Sequence, residues 1–322
     1  MMKAISIKNP LIKALASVVL FVGVFIIFGS LVPYFMTYAN LINITRQSAM
    51  TAMCAVGLSV VIITGGIDLA TPGFLAVCPM ISGVFVLGGM DIYLAFFLGI
   101  AIGTAVGFLN GVLIANLRIQ PFIATYVMGQ IGTGVALVLS DGASLRNLPR
   151  EFMDMGNNNV VGIPISTLIM ISFALVGALI MARTKVGKHI YGIGGSEQTV
   201  RFEGVDTRKV KYFCYTLSAF CSSSAGILLS SQLNTVHPTQ GASYMLDAVA
   251  AAVIGGISLM GGEGKVQYAV IGALFMGALR NALTMLSMHP FYQNLFVGAA
   301  VILVASISVT SKIRKTRVTK VF

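Results

Sequence analysis

Charge is what this chain has least of. Only 10% of its 322 residues are charged, against roughly 25% in an ordinary soluble domain. Between Lys13 and Asp141 there are four charges: Arg46, Asp68, Asp91 and Arg118. That scarcity excludes the soluble and the disordered classes. The four charges separate apolar stretches of about 21 to 32 residues. A helix rises ~1.5 Å per residue, so ~20 residues cross the ~30 Å hydrocarbon core. Each stretch is long enough to span a bilayer once, which predicts an all-α, polytopic membrane protein.

Histidine is almost as scarce. His189, His237 and His289 fall outside the apolar stretches or at their ends. A carrier driven by protons or sodium usually places acids or histidines in a relay within its spans, and these spans hold few. There is no H-E-x-x-H. Gly187-Lys188 and Gly264-Lys265 lack the remaining residues of a phosphate loop. The chain is therefore expected to be no enzyme, with no cofactor, no metal and no ATPase of its own. Cys54, Cys78, Cys214 and Cys221 all lie in apolar stretches and read as small buried hydrophobes, not as disulfides or metal ligands.

Reading the apolar stretches gives about ten spans, near 14–35, 47–65, 70–89, 92–116, 121–140, 164–182, 212–231, 246–261, 267–287 and 291–310. The first resembles a signal peptide, but its apolar run is too long and no A-x-A-like site follows, so it reads as a retained span. With the N-terminus in the cytoplasm, the inner side receives Lys3, Lys8, Lys13, Arg118, seven basic residues from Arg183 to Lys211, Lys265 and five in the tail. The outer side receives Arg46, Arg146 and Arg150. That bias places both termini in the cytoplasm. It also accounts for the net charge of +11 without nucleic acid. The chain reads as a single transmembrane domain, 1–322. It has a polar outer loop at 141–163, a basic inner loop at 183–211, and a basic tail at 311–322 suited to anionic headgroups of the lipid bilayer.

Residues that interrupt the spans are the candidates for function. Gly65-Gly66 and Gly255-Gly256 sit in similar segments, VIITGGIDL and AVIGGISL. Paired glycines break helices, and a broken helix must line protein or a water-filled cavity. The likeness raises an internal duplication of the kind transporters carry. Asp68 either caps the next helix or serves the translocation path as a gate. Asp247 and Arg280 could pair, or Asp247 could lie at the outer surface. Asn110, Thr125, Gln130 and Asn281 could bond between helices or touch substrate. In the inner loop, Ser196 can cap a short helix whose first positions are Glu197 and Gln198, and Gly204 can end it. That helix, near 197–203, carries Val200, Arg201 and Phe202, and reads as a docking element for a soluble partner or as a connector resting on lipid.

Four blocks then resemble one family. They are VIITGGIDL ending at Leu69, NGVLIANLRIQPFIATYVMG at 110–129, GKHIYGIGGSEQTVRFEGV at 187–205 and LDAVAAAVIGGISLMGGEGK at 246–265. In order and spacing they are similar to the permease subunits of bacterial ABC importers for monosaccharides, of the ribose, xylose, arabinose and galactoside type. The resemblance implies a multi-pass protein of the bacterial inner membrane. It also implies a pathway between two permease subunits (a second copy or a homologous permease), a cytoplasmic ABC ATPase that holds the ATP, and a periplasmic sugar-binding protein. By position, Gly194, Gly195, Ser196, Glu197 and the residues to Gly204 would be the ATPase-coupling element. Gly65, Gly66, Asp68, Gly255, Gly256, Gly261 and Gly262 would frame the pathway. Alternatives are a sister importer for nucleosides or branched-chain amino acids, and a self-contained secondary transporter or channel.

Overall fold

The computed structural model describes residues 22–23, 25–299 and 302. Among them the long helices are α1 (Tyr38–Ile63), α2 (Thr71–Leu87), α3 (Ile92–Ala115), α4 (Pro121–Leu139), α6 (Ile165–Arg183), α7 (Lys185–Phe202), α8 (Thr207–Leu233) and α10 (Tyr268–Met285). Two shorter helices, α5 (Arg150–Asn157) and α9 (Tyr244–Ile254), and a two-stranded hairpin, β1 (Asn159–Val160) with β2 (Ile163–Pro164), complete the described elements. Residues 25–31 and 290–299 are also helical.

Six of these helices, α1, α3, α4, α6, α8 and α10, are long and apolar enough to cross a membrane. Two of the ten or so expected spans give shorter apolar helices among the described residues. The stretch at 70–89 yields a 17-residue helix. The stretch at 246–261 yields only 11 helical residues, about 16 Å and half of the hydrocarbon core. The expected spans 14–35 and 291–310 lie partly outside the described residues. The span expected at 47–65 starts earlier, at Tyr38. Arg46 does not end that helix, because its long side chain reaches along it to the Asn159 side-chain oxygen, 3.1 Å away.

Every residue of α1 from Ser48 to Ile63 is buried, and most of α8 is as well. A helix that is apolar all round belongs at the centre. All four cysteines are free and buried. Helix α3 carries one glycine every four residues, of which Gly99 packs on Ser82 and Cys78 of α2, and Gly103, Gly107 and Gly111 pack on α8. At Gly107 a Cβ would fall 2.2 Å from the Ala219 Cβ. Close backbone approach of this kind is how membrane helices gain packing without a hydrophobic driving force. Gly107→Leu is expected to cost about 1–3 kcal/mol by overpacking, read as earlier thermal unfolding in detergent. Gly134, with nothing within 4 Å of an added Cβ, should tolerate alanine.

Helix α2 contains Pro79, which removes a backbone donor and leaves the Leu75 carbonyl without its helical partner. The Gln240 side-chain amide supplies the missing bond at 2.8 Å, and it also reaches the Ser230 hydroxyl. The end of the molecule that carries Gln240 is closed by a lid. Leu145 pairs with Val236, and Phe152 of α5 is buried edge-on to Phe96. The Ser231 hydroxyl donates to the Phe152 carbonyl. The opposite end carries Arg118, Arg183, Lys185, Lys188, Arg201, Arg208, Lys209, Lys211 and Lys265, and is called the basic end below.

Candidate functional site

Two helices stop short at the basic end, and a third element packs against both. Helix α1 ends at Ile63, and Gly65 takes the left-handed conformation, φ +80°. The Gly65 and Gly66 amides bond back to the Ile62 and Val61 carbonyls, a helix stop that needs a residue without Cβ strain. Gly66 is required for a different reason: a Cβ there would lie 2.7 Å from the Tyr215 hydroxyl.

The four residues that follow are held by two side chains named from the sequence. Asp68 is buried, and its carboxylate accepts the Ala70 amide at 3.0 Å, closing a tight turn just before α2. Thr125 accepts the Leu69 amide at 2.9 Å while donating to the Pro121 carbonyl. The last two amides of the broken segment are thus satisfied by side chains. Among the described residues no cation pairs with Asp68.

The second break is similar in outcome and different in register. Helix α9 ends at Ile254, and here the left-handed residue is the second glycine, Gly256, φ +84°. Gly255 is needed for close approach, since a Cβ would lie 2.5 Å from the Tyr268 carbonyl oxygen. The likeness of the two segments extends to a helix that stops at a glycine pair, but the two glycines exchange tasks.

Other sequence candidates are dispersed. Asp247 and Arg280 do meet: Nε lies 2.7 Å from one carboxylate oxygen and a terminal nitrogen 2.9 Å from the other. Asn281 and Asn40 exchange amide hydrogen bonds at 2.9 and 3.0 Å, tying α10 to α1. Asn110 is buried in α3, and its side-chain oxygen has no partner among the described residues. Gln130 stands on the exposed face of α4, beside exposed Tyr126. The structure therefore gathers Gly65, Gly66, Asp68 and Thr125, and does not bring Asn110, Gln130, Asp247 and Asn281 to the same place.

The inner loop is more helical than its glycines suggested. Helix α7 runs from Lys185, capped by Thr184, and changes direction at Ser196, whose backbone is extended (φ −160°, ψ 104°). The Ser196 hydroxyl accepts the Thr199 amide at 3.2 Å. Gly204, φ +82°, closes the turn. The expected short helix with its serine cap and glycine stop is thus present, as the second half of a kinked α7. Glu197 anchors it to α8. One oxygen takes Arg201 at 2.7 Å and Thr207 at 3.0 Å, and the other takes Lys211 at 2.8 Å. Of the apolar residues this helix was expected to carry, Val200 is buried and Phe202 is exposed. The branched apolar side chain of Val200 falls over Gly192. Phe202 is 82% exposed.

Burial works to raise the Glu197 carboxyl, but the Lys211 ammonium, with Arg201 and Thr207, outweighs it and holds the group below its ordinary value. A depressed carboxylate stabilises the fold above its unfolded value and loses that contribution as pH falls through the folded one. Amide protection at 197–204, corrected for intrinsic exchange, is expected to hold at neutral pH and to fall below the ordinary carboxylate range. In Glu197→Gln that acid step should vanish.

One residue of the site carried no sequence signal. Tyr191 of α7 donates its hydroxyl to the Gly264 carbonyl at 2.7 Å, and nothing in the sequence pairs them. Gly194, Gly261 and Gly262 come together with Gly65. Their signal was the recurrence of adjacent glycines at 65–66, 194–195 and 261–262.

Comparison with known proteins bears on this arrangement. Residues 40–305 match the family described as the permease component of the branched-chain amino acid transport system. The ribose import permease protein RbsC of Haemophilus influenzae is 38% identical, over 85% of this chain and 85% of the relative. RbsC of Escherichia coli K12 is 37% identical over 87% and 88%. The D-allose transport system permease protein AlsC of Escherichia coli K12 is 32% identical over 86% and 85%. No solved structure gives a significant match.

Proposed function

The chain belongs to the family described as the permease component of the branched-chain amino acid transport system, and from that premise we propose that it is the membrane-spanning permease subunit of an ABC importer for a monosaccharide. The observation that carries this reading is the similarity to ribose and allose permeases along nearly the whole chain. The family description also embraces amino acid permeases, but these relatives are sugar permeases. A pentose or hexose is the substrate class.

The chain supplies a framework and no energy source of its own. ATP binding and hydrolysis fall to a partner ATPase at the basic end, where the capped helix 197–202 presents Phe202. A periplasmic binding protein delivers the sugar to the lid at the other end. The basic end lies in the cytoplasm, as the lysine and arginine bias requires, with the protein in the bacterial inner membrane. A second permease subunit covers the exposed face of α4, since Gln130 facing lipid would be costly. Transport then proceeds by alternating access, in which ATP, sugar and binding protein act only through their unequal affinities for the two states.

Purification in mild detergent from native membranes, with partners identified by mass, tests the reading. An ABC ATPase and a sugar-binding protein are expected, together with ATP-dependent sugar uptake in proteoliposomes. Repeated absence of an ATPase from folded, abundant protein would overturn it in favour of a self-contained carrier.

A further inference from the structure

At the basic end three backbone segments touch with no side chain between them. The Gly262 amide, beyond the second break, donates to the Ile63 carbonyl at the end of α1, 2.8 Å away. Gly194 of α7 lies directly on that bond. A Cβ on Gly194 would fall 1.8 Å from the Ile63 oxygen and 2.3 Å from the Gly262 nitrogen. Gly261 closes the group: its added Cβ would lie 2.9 Å from the Gly65 nitrogen and 3.1 Å from the Gly194 oxygen. One turn earlier on the same face of α7, Tyr191 holds the Gly264 carbonyl. Two residues after Gly194 comes the kink at Ser196, and beyond it the exposed helix 197–202.

Contacts of this kind transmit displacement. A side chain between two elements can change rotamer and absorb a shift, whereas close-packed backbone must move with its neighbour or part from it. We propose that the contact of Gly194 with Gly262, Ile63 and Gly65 is the mechanical joint of the transporter. Through it, displacement of helix 197–202 by the ATPase reaches both broken helices at once. Gly194 and Tyr191 are positioning residues: they touch neither sugar nor nucleotide, and act by fixing α7 to the breaks. The inference rests on the importer reading above.

The test uses the complete importer in proteoliposomes and reads sugar uptake and ATP hydrolysis separately. In Gly194→Ala the complex is expected to assemble and to hydrolyse ATP, while sugar moved per ATP falls about tenfold, within the range that coupling variants produce. Tyr191→Phe, which removes one hydroxyl and leaves the packing, is expected to lower the same ratio about twofold to threefold. A wild-type ratio in Gly194→Ala would overturn the joint. So would uptake and hydrolysis falling in proportion, since that is what a merely structural contact gives. Should Gly194→Ala fail to fold, Tyr191→Phe decides by the same ratio. Failure of the importer reading is a different result: wild-type protein that brings down no ATPase.

Discussion

Arg280→Ala is expected to destabilise the protein by about 3–5 kcal/mol, because it strands a buried carboxylate. The Arg280 guanidinium meets the Asp247 carboxylate through two hydrogen bonds, and Asp247 is only 4% exposed. Asp247 stands in the first turn of α9, where the helix end offers some compensation, too little to replace a paired charge. Replacing both residues together, Asp247→Leu with Arg280→Met, should regain most of the loss, since apolar groups of similar volume need no partner. Thermal unfolding in detergent reads both results. Unfolding of Arg280→Ala at the wild-type temperature would remove the structural role. Uptake by the double variant then separates two readings of Asp247. Restored stability with normal uptake makes the pair a tie between α9 and α10. Restored stability with lost uptake returns Asp247 to the pathway.

How far the sequence carried this fold depends on how local each signal was. Long apolar runs between isolated charges predicted α3, α4 and α6 to within a few residues, since charge is expensive in lipid wherever the rest of the chain lies. The cap at Ser196 and the stop at Gly204 were legible for the same reason, being interactions within one turn. Arg46 misled, because a long side chain can stay within a helix when a distant residue, Asn159, meets it. The run through Gly255 misled in the other direction: hydropathy does not register that a glycine pair ends the helix. Asp247 with Arg280, Asn40 with Asn281, and Tyr191 with Gly264 are bonds between segments far apart in the chain. A single sequence supplies candidates for such bonds and no way to choose among them. Which of Val200 and Phe202 turns inward was not legible, because a two-turn helix has too few residues to define its faces by periodicity.

Phe202→Asp is expected to abolish co-purification of the partner ATPase while leaving insertion and unfolding temperature unchanged. The second half of the prediction follows from exposure: at 82% exposed, the ring contributes little to this chain's own packing. The first half follows from rigidity. Helix 197–202 is held from beneath by Val200 and from the side by Glu197, which engages Arg201, Thr207 and Lys211. Its exposed aromatic ring is thus carried on a fixed backbone, so little backbone entropy is lost when a partner receives it. A buried aromatic anchor at the centre of an interface is commonly worth about 2–4 kcal/mol on truncation, and aspartate adds the desolvation of a charge in the same pocket. Phe202→Leu keeps an apolar group of reduced size and should retain part of the binding. The order wild type, leucine, aspartate in ATPase recovered per permease is the signature of an apolar socket. Equal recovery from all three would assign docking to the basic residues around the helix, and Phe202 would then be a side chain resting on lipid.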